Sequence, residues 1–327
     1  MSDLPIPVSV VVPVFKGEHT LSALTDELLP LTQGQQSPGG QPFRVIEVVL
    51  VHDGATDGSA EVMAGLRDKY PFIVTLWLSR NYGQHAATLA GMASTSGDWV
   101  VTLDEDGQQA PDDIGRLLDR AIATGAQLVY ARSSNAPPHG VLRNALSRLA
   151  KRSVALLVGD SRIALFNSFR LMTGEIARSL AAYCGHHVYL DVALGWMVDR
   201  VTTCPVVLRQ ERGRSSGYTL LKLTDHFWRL ILTTGTRPLR LIALLGGLSV
   251  LVAIGASVNS LHAKLLHEVP VAGWTSLVIL LSFFSGVILL CLAVMAEFLG
   301  VTLNMAMGKP TYLVVSEPPR ALHDPPS

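Results

Sequence analysis

The chain has little cysteine, no surplus of charge of either sign, and no charge at all over two long stretches of its second half. Of 327 residues only Cys184, Cys204 and Cys291 are cysteines, and they lie far apart. Neither a disulfide framework nor a zinc-ligand spacing is available, so cysteine contributes nothing to a functional argument. Lysine plus arginine number 26, as do aspartate plus glutamate, for a formal net charge of zero. That balance argues against a broad electrostatic surface for nucleic acid and leaves room only for a local basic rim. No internal repeat is visible, and no secretory signal precedes the first apolar run. The adjacent pair His186-His187 is a poor metal site, because neighbouring side chains diverge on a helix or strand; a loop or helix end is the simpler reading.

The charge-free stretches run from Leu241 to Leu261 and from Trp274 to Ala296. Each is long enough to cross about 30 Å of hydrocarbon as a helix, so two transmembrane helices are expected; the alternative is a pair of long buried helices in a soluble protein. Arg229, Arg237 and Arg240 precede the first stretch and Lys309 and Arg320 follow the second, whereas the connection His262 to Gly273 carries only Lys264 against Glu268. The positive-inside bias therefore predicts both termini in the cytoplasm. Between Thr219 and Thr234, Leu220, Leu221, Leu223, Phe227, Trp228, Leu230 and Ile231 alternate with Lys222, Asp225, His226 and Arg229. This predicts an amphipathic helix lying at the membrane surface, or else packed on the globular core.

Ahead of that region, strands and helices alternate. Val8 to Val14 is valine throughout apart from Ser9 and Pro13, and reads as a first buried strand. A helix is expected around Leu21 to Leu29 with Thr20 as cap, then a flexible insertion over Leu31 to Pro42. Further strands are predicted at Val45 to Val51, Ile73 to Leu78, Trp99 to Leu103 and Gln127 to Tyr130. Such a rhythm implies a largely parallel sheet with helices on both faces.

Two acidic turns follow strands in this scheme. Asp104-Glu105-Asp106-Gly107-Gln108 comes directly after Trp99 to Leu103, and so sits where open α/β sheets bind ligands. Asp104, Asp106 and the amide oxygen of Gln108 offer hard oxygen ligands to Mg2+ or Mn2+, which would neutralise a diphosphate; the alternative is a solvated turn. Asp53-Gly54-Ala55-Thr56-Asp57-Gly58 follows the second strand, and places Asp53 where a ribose hydroxyl or a base N–H could be bound. Thr56 or Ser59 could cap the next helix, and a plain strand-to-helix turn is the alternative.

Taken in order, Val10-Val-Val-Pro-Val-Phe15, Val51-His-Asp-Gly-Ala-Thr-Asp-Gly58, Leu78-Ser-Arg-Asn-Tyr-Gly-Gln-His85 and Leu103-Asp-Glu-Asp-Gly-Gln108 resemble the motifs of family 2 glycosyltransferases of GT-A fold. Later segments narrow the resemblance to polyprenyl-phosphate glycosyltransferases, the group of dolichol-phosphate mannose synthase, prophage-type bactoprenol glucosyltransferases and undecaprenyl-phosphate aminoarabinose transferase. They are Arg212-Gly-Arg-Ser-Ser-Gly-Tyr218, Leu221-Lys222-Leu223, Arg237-Pro-Leu-Arg240, Val271-Ala-Gly-Trp-Thr-Ser276 and Glu297-Phe-Leu-Gly300. Asn81-Tyr-Gly-Gln-His85 is most similar to the aminoarabinose transferase, and the likeness covers residues 8 to 315.

The resemblance implies donor contacts at Pro13, Asp53, Asp104 and Arg132, metal contacts at Asp104, Asp106 and Gln108, and acceptor-phosphate contacts at Arg170, Arg212, Ser216 and Tyr218. It implies inverting transfer of one sugar from a UDP- or GDP-linked donor to a polyprenyl phosphate at the bacterial inner membrane, with Asp104 and Asp106 catalytic through the metal. The expected organisation is a cytoplasmic GT-A domain over 1–218, the interfacial helix over 219–236, the two-helix membrane region over 237–300 and a cytoplasmic tail over 301–327. No nucleic acid partner is expected; a homo-oligomer is compatible with the pattern.

Several positions depart from the family pattern. His52 stands where the first of two aspartates is usual, Gly107-Gln108-Gln109-Ala110 replaces the commoner Leu-Gln-His-Pro, and Ser168 replaces the aspartate of D-F-R-L. Arg132 comes one residue early, and five positions rather than four separate Gly213 from Tyr218. The Q-x-x-R-W motif of processive polysaccharide synthases is absent, which counts against hydroxyl acceptors. Alternatives are another lipid acceptor or a non-catalytic membrane scaffold on the same fold.

Overall fold

The computed structural model describes residues 4–135, 165–185, 188–209 and 273–317, with isolated residues between 246 and 262. Strand β1 (Ile6–Val14) leads to α1 (Leu21–Leu28), a 3-10 turn over Leu29–Gln33, and the short β2 (Gln35–Gln36). Then come β3 (Pro42–His52), α2 (Ser59–Lys69), β4 (Ile73–Leu78), α3 (Gln84–Ala93), β5 (Trp99–Thr102), α4 (Asp113–Thr124) and β6 (Leu128–Ser133). After the undescribed 136–164 follow β7 (Arg170–Thr173), α5 (Gly174–Tyr183), α6 (Leu190–Met197) and β8 (Val201–Val206), and finally α7 (Trp274–Ala306) and β9 (Val314–Val315).

The described strands form one sheet in the order β8-β6-β7-β5-β1-β3-β4-β9, with β2 added on β3. Pairing is parallel for β1 with β3 and β5, β3 with β4, and β6 with β8; β7 runs antiparallel between β5 and β6. The alternation of side chains along β1 explains why it is almost all valine. Val8, Val10, Val12 and Val14 meet Leu21, Leu24, Met63, Ile114 and Leu117 from α1, α2 and α4, while Val11 joins Ala87, Leu89, Ala177 and Leu194 from α3, α5 and α6. With both faces covered, a polar residue on either side would be buried without water. Ser9 is tolerated because its hydroxyl donates to Glu47 Oε1 at 2.6 Å and accepts from Gly97 N–H at 2.9 Å.

Four of the expected strands sit where they were predicted, and the fifth, predicted from Gln127, begins at Leu128. The segment expected as a flexible insertion over Leu31 to Pro42 is instead ordered. Gln35 and Gln36 pair antiparallel with Phe43 and Pro42, and Asp119 of α4 accepts from the Ser37 hydroxyl and from Gly39 N–H. Thr20 does not cap α1: its hydroxyl faces Gly17 O, and its backbone is already helical. Neither does Thr56 or Ser59 cap α2, whose first amides are met by Glu18 and Asp57.

Helix α7 has 33 residues, about 50 Å of rise. Its window Phe283–Gly300 has a mean hydropathy of 2.2, and none of it is buried against the rest of the protein. This is the one helix among the described residues long and apolar enough to cross a membrane. Of the first expected span only isolated residues are described; Leu248, Leu251, Ile254 and Val258 are helical and more than half exposed. The expected interfacial helix over 219–236 lies outside the described residues.

The expected carboxyl-terminal tail is not a simple appendage. Helix α7 runs on to Ala306, and the chain then returns to the sheet: Val314 and Val315 pair antiparallel with Leu78 and Trp77 at the edge of β4. Ser79 N–H donates to Leu313 O at 3.0 Å, the Thr311 hydroxyl donates to Cys184 O at 3.1 Å, and Arg67 pairs with Glu317.

Candidate active site

Chain order along the sheet reverses at β1: β3 and β4 lie on one side of it and β5 on the other. In such sheets the crevice outside the carboxyl ends of the strands is the natural ligand site. Asp104 and Asp106 occupy it, just past β5, and both are partly exposed. Gly107, at φ +72°, turns the loop so that Gln108 N–H reaches Asp106 Oδ1 at 2.9 Å. Glu105 points the other way and accepts from Phe15 N–H at 3.0 Å and Lys16 N–H at 2.9 Å, tying the acidic loop to the end of β1.

Neutral donors surround Asp104. Gln109 accepts from the Asp104 N–H at 2.9 Å and donates to its Oδ2 at 2.8 Å. The Ser168 hydroxyl donates to the same Oδ2, and Gln84, the first residue of α3, donates to Oδ1. Burial pushes the Asp104 carboxyl up to about 6, opposed mainly by the Ser168 hydrogen bond and raised further by the charge of Asp106. Burial raises Asp106 as well. No group of three or more His, Cys, Asp or Glu residues is gathered among the described residues. Two carboxylates alone hold Mg2+ or Mn2+ weakly, which fits a cation completed by the oxygens of a substrate diphosphate. Gln108 is held in this loop by its carbonyl, which accepts from Arg209 N–H at 2.9 Å.

Asp53 lies at the end of β3 and is only 3% exposed. Its two oxygens accept from Tyr82 N–H at 2.7 Å and Gly83 N–H at 2.9 Å. Burial raises its carboxyl to about 6 against the lowering effect of those two bonds. Gly54 (φ +63°) allows the close approach, since a Cβ there would meet Asn81 N at 2.5 Å. Asp53 thus shapes the loop that delivers Gln84 to Asp104, a link that sequence reasoning missed because Asp53 and Tyr82 are 29 residues apart. Pro13, half-buried near the end of β1, and Arg132, exposed near the end of β6, lie at the same edge of the sheet. His52 is buried, its ring centroid 5.0 Å from that of Trp77.

Arg170, expected at the acceptor phosphate, lies within the sheet on β7. It is 3% exposed, pairs with the equally buried Asp191, and donates through Nε to Thr102 Oγ1 at 3.2 Å. Tyr130 adds a hydroxyl bond to Asp191 Oδ1 at 2.8 Å. A guanidinium fixed in this way holds β5, β6 and β7 to α6. Arg212, Ser216 and Tyr218 lie outside the described residues.

Comparison with known proteins places these features in context. Residues 9–177 match the family model for glycosyl transferase family 2. The undecaprenyl-phosphate 4-deoxy-4-formamido-L-arabinose transferase of Pseudomonas paraeruginosa is 32% identical over 322 residues, covering 96% of this chain and 91% of that protein. The protein of the same name from Yersinia pestis is 28% identical over 314 residues, covering 94% and 92%. Among solved structures, glucosyl-3-phosphoglycerate synthase of Mycobacterium tuberculosis, in complex with Mn2+, UDP and phosphoglyceric acid, aligns with a TM-score of 0.50 at 20% identity, over 71% of this chain and 78% of that one. The latter likeness concerns the α/β GT-A fold.

Proposed function

Because the chain belongs to glycosyl transferase family 2, we propose that it transfers a single sugar, with inversion, from a UDP- or GDP-linked donor to a polyprenyl phosphate at a membrane surface. The observation that carries this reading is the position of Asp104 and Asp106 beyond β5, in a chain that matches undecaprenyl-phosphate sugar transferases over nearly its whole length. Asp104, Asp106 and Gln108 would hold a divalent cation, Mg2+ or Mn2+, which would supply positive charge to stabilise the departing nucleoside diphosphate. Mn2+ and UDP together in the mycobacterial synthase support that choice.

The protein's own residues orient the reactants. Asp53 fixes the loop from Tyr82 to Gln84, and Glu105 fixes the end of β1 beside Pro13, so the donor crevice is shaped before substrate arrives. Arg132 offers a cation at the same edge. A polyprenyl phosphate is already ionised at neutral pH, so the acceptor needs positioning rather than a general base. Arg212, Ser216 and Tyr218, just before the interfacial segment 219–236, supply that positioning.

Strand pairing supports one membrane topology. If α7 spans the bilayer, its carboxyl-terminal side is the side of the sheet, because β9 pairs with β4. Because β8 and β9 belong to one sheet, a spanning α7 requires an even number of crossings between them. That parity supports Leu241 to Leu261 as the other span, and both termini on the cytoplasmic face.

The test is transfer of labelled sugar from nucleotide donors to undecaprenyl phosphate in vesicles with Mn2+, followed by lipid extraction. The expected product is one sugar per undecaprenyl phosphate; label in another lipid, or no transfer with any donor, overturns the reading.

A further inference from the structure

Ser79 to Gly83 join β4 to α3 without regular structure, and they carry Gln84 to its hydrogen bond with Asp104 Oδ1. Such a stretch takes its shape from the groups that satisfy its backbone. Asp53 holds the second half, accepting from Tyr82 N–H and Gly83 N–H. The first half is held from far along the chain. Ser79 N–H donates to Leu313 O at 3.0 Å, which extends the pairing of Leu78 and Trp77 with Val314 and Val315 one residue beyond β4. The Ser79 and Tyr82 hydroxyls are hydrogen-bonded at 3.0 Å, so the residue fixed by Leu313 meets the residue fixed by Asp53. Tyr312 and Tyr82, both half-buried, pack on one apolar cluster that includes Leu78, Ala87 and Leu89. The segment has its own anchor as well: the Thr311 hydroxyl donates to Cys184 O at 3.1 Å, shortly after α7 ends at Ala306.

Resting on the reading that the crevice beyond β5 takes a nucleotide donor, we propose that Thr311 to Val315 is a positioning segment for the donor site. Tyr312 and Leu313 set the loop from Ser79 to Gly83, and through it Gln84. An edge strand that merely covered β4 would protect Trp77 and Leu78 and act no further. The bond to Ser79, past the end of β4, and the contact of Ser79 with Tyr82 carry the effect onward to the crevice. The donor site is thus completed by chain that follows the apolar helix, and the seating of α7 is felt at the nucleotide.

The experiment uses the full chain in detergent and follows hydrogen exchange over residues 79–84 without metal, with calorimetric binding of UDP and of GDP in the presence of Mn2+ as a second readout. Tyr312→Ala is expected to quicken exchange over 79–84 and to weaken nucleotide binding, each by about tenfold, while β1 and β3 stay as protected as in wild type. A chain ended after Lys309 is expected to show both effects more strongly, and a synthetic peptide of residues 310–317, added in excess, to reverse them by strand addition. Unchanged exchange over 79–84 in Tyr312→Ala overturns the proposal. So does quickened exchange with wild-type nucleotide affinity, which leaves only an edge strand, or quickening spread equally through β1 and β3, which marks a general loss of stability. A folded shortened chain that the peptide does not restore overturns it as well; if that chain does not fold, Tyr312→Ala decides alone. A wild-type protein that binds neither UDP nor GDP removes the donor reading instead, and exchange over 79–84 then decides the positioning segment by itself.

Discussion

Asp104 and Asp191 are both drawn toward the middle of the sheet, yet they are built in opposite ways. Asp104 stands at the rim of the parallel half, held by Gln84, Gln109 and Ser168, none of which carries charge. Asp191 lies inside the mixed half, where Arg170 and Tyr130 meet it and almost no surface remains. An arginine cancels an aspartate, whereas neutral donors orient one without cancelling it. A carboxylate meant to take up a cation must keep its charge, and one meant to hold strands together need not. Each has a raised carboxyl pKa, with burial the first cause, so the shift alone does not tell the proposed cation ligand from the buried ion pair. The identity of the partners does.

The comparison breaks if the two acids respond alike to mutation. Asp104→Asn or Asp106→Asn should lower sugar transfer on the order of a thousandfold or more, while leaving membrane insertion and thermal stability near wild type. Turnover of the purified variants with saturating donor and Mn2+ measures this. Asp191→Ala should do the reverse and destabilise the fold by about 3 to 5 kcal/mol, since it strands the buried Arg170. Replacing both, as Arg170→Met with Asp191→Leu, should recover much of that loss in denaturant titrations.

A third charge sharpens the contrast, because Arg212 is expected to stay free for a ligand phosphate where Arg170 is committed. Arg212→Ala should cost about 1.5 to 3 kcal/mol, roughly ten- to a hundredfold in efficiency with the polyprenyl phosphate, and leave donor KM little changed. Lysine should rescue only in part, keeping charge without the fork. Varying each substrate in turn separates the two sides; a loss confined to the donor would move Arg212 to the nucleotide.

The smallest effect is in pH. With the Asp104 carboxyl at about 6, Mn2+ must displace a proton below that value, so affinity should fall by about tenfold per pH unit there. Stability without metal runs the other way. Between the ordinary 3.8 and about 6, folded Asp53 and Asp104 hold protons that the unfolded chain has released. Their contribution therefore weakens as pH rises through that window. Melting curves with and without Mn2+ at pH 5 and 7 should show the metal-dependent gain only at the higher pH.

What could be read from sequence follows the same division. Strands β1, β3, β4 and β5 announce themselves as apolar runs, and acids directly after such runs must lie at the sheet's edge, so Asp53, Asp104 and Asp106 were legible. β7 was not, because it opens on Arg170, whose burial depends on Asp191, 21 residues away. β8 contains Pro205, and β9 is two residues long; neither makes a pattern without its partner strand. The order in residues 31–42 depends on Asp119 in the same non-local way. Gln84, Gln109 and Ser168 look like ordinary polar residues until the fold gathers them round one carboxylate.

The return of β9 to β4 also sets a timetable for biosynthesis. β4 is made early, but the strand that covers its edge follows about 240 residues later, after the apolar helix, or roughly ten to fifty seconds at ordinary rates of translation. Throughout that interval the nascent sheet carries an open edge able to pair with another chain. Completion of the catalytic domain is thereby deferred until the apolar segments have been made, and a nascent chain halted before Val314 leaves the ribosome with its sheet unfinished.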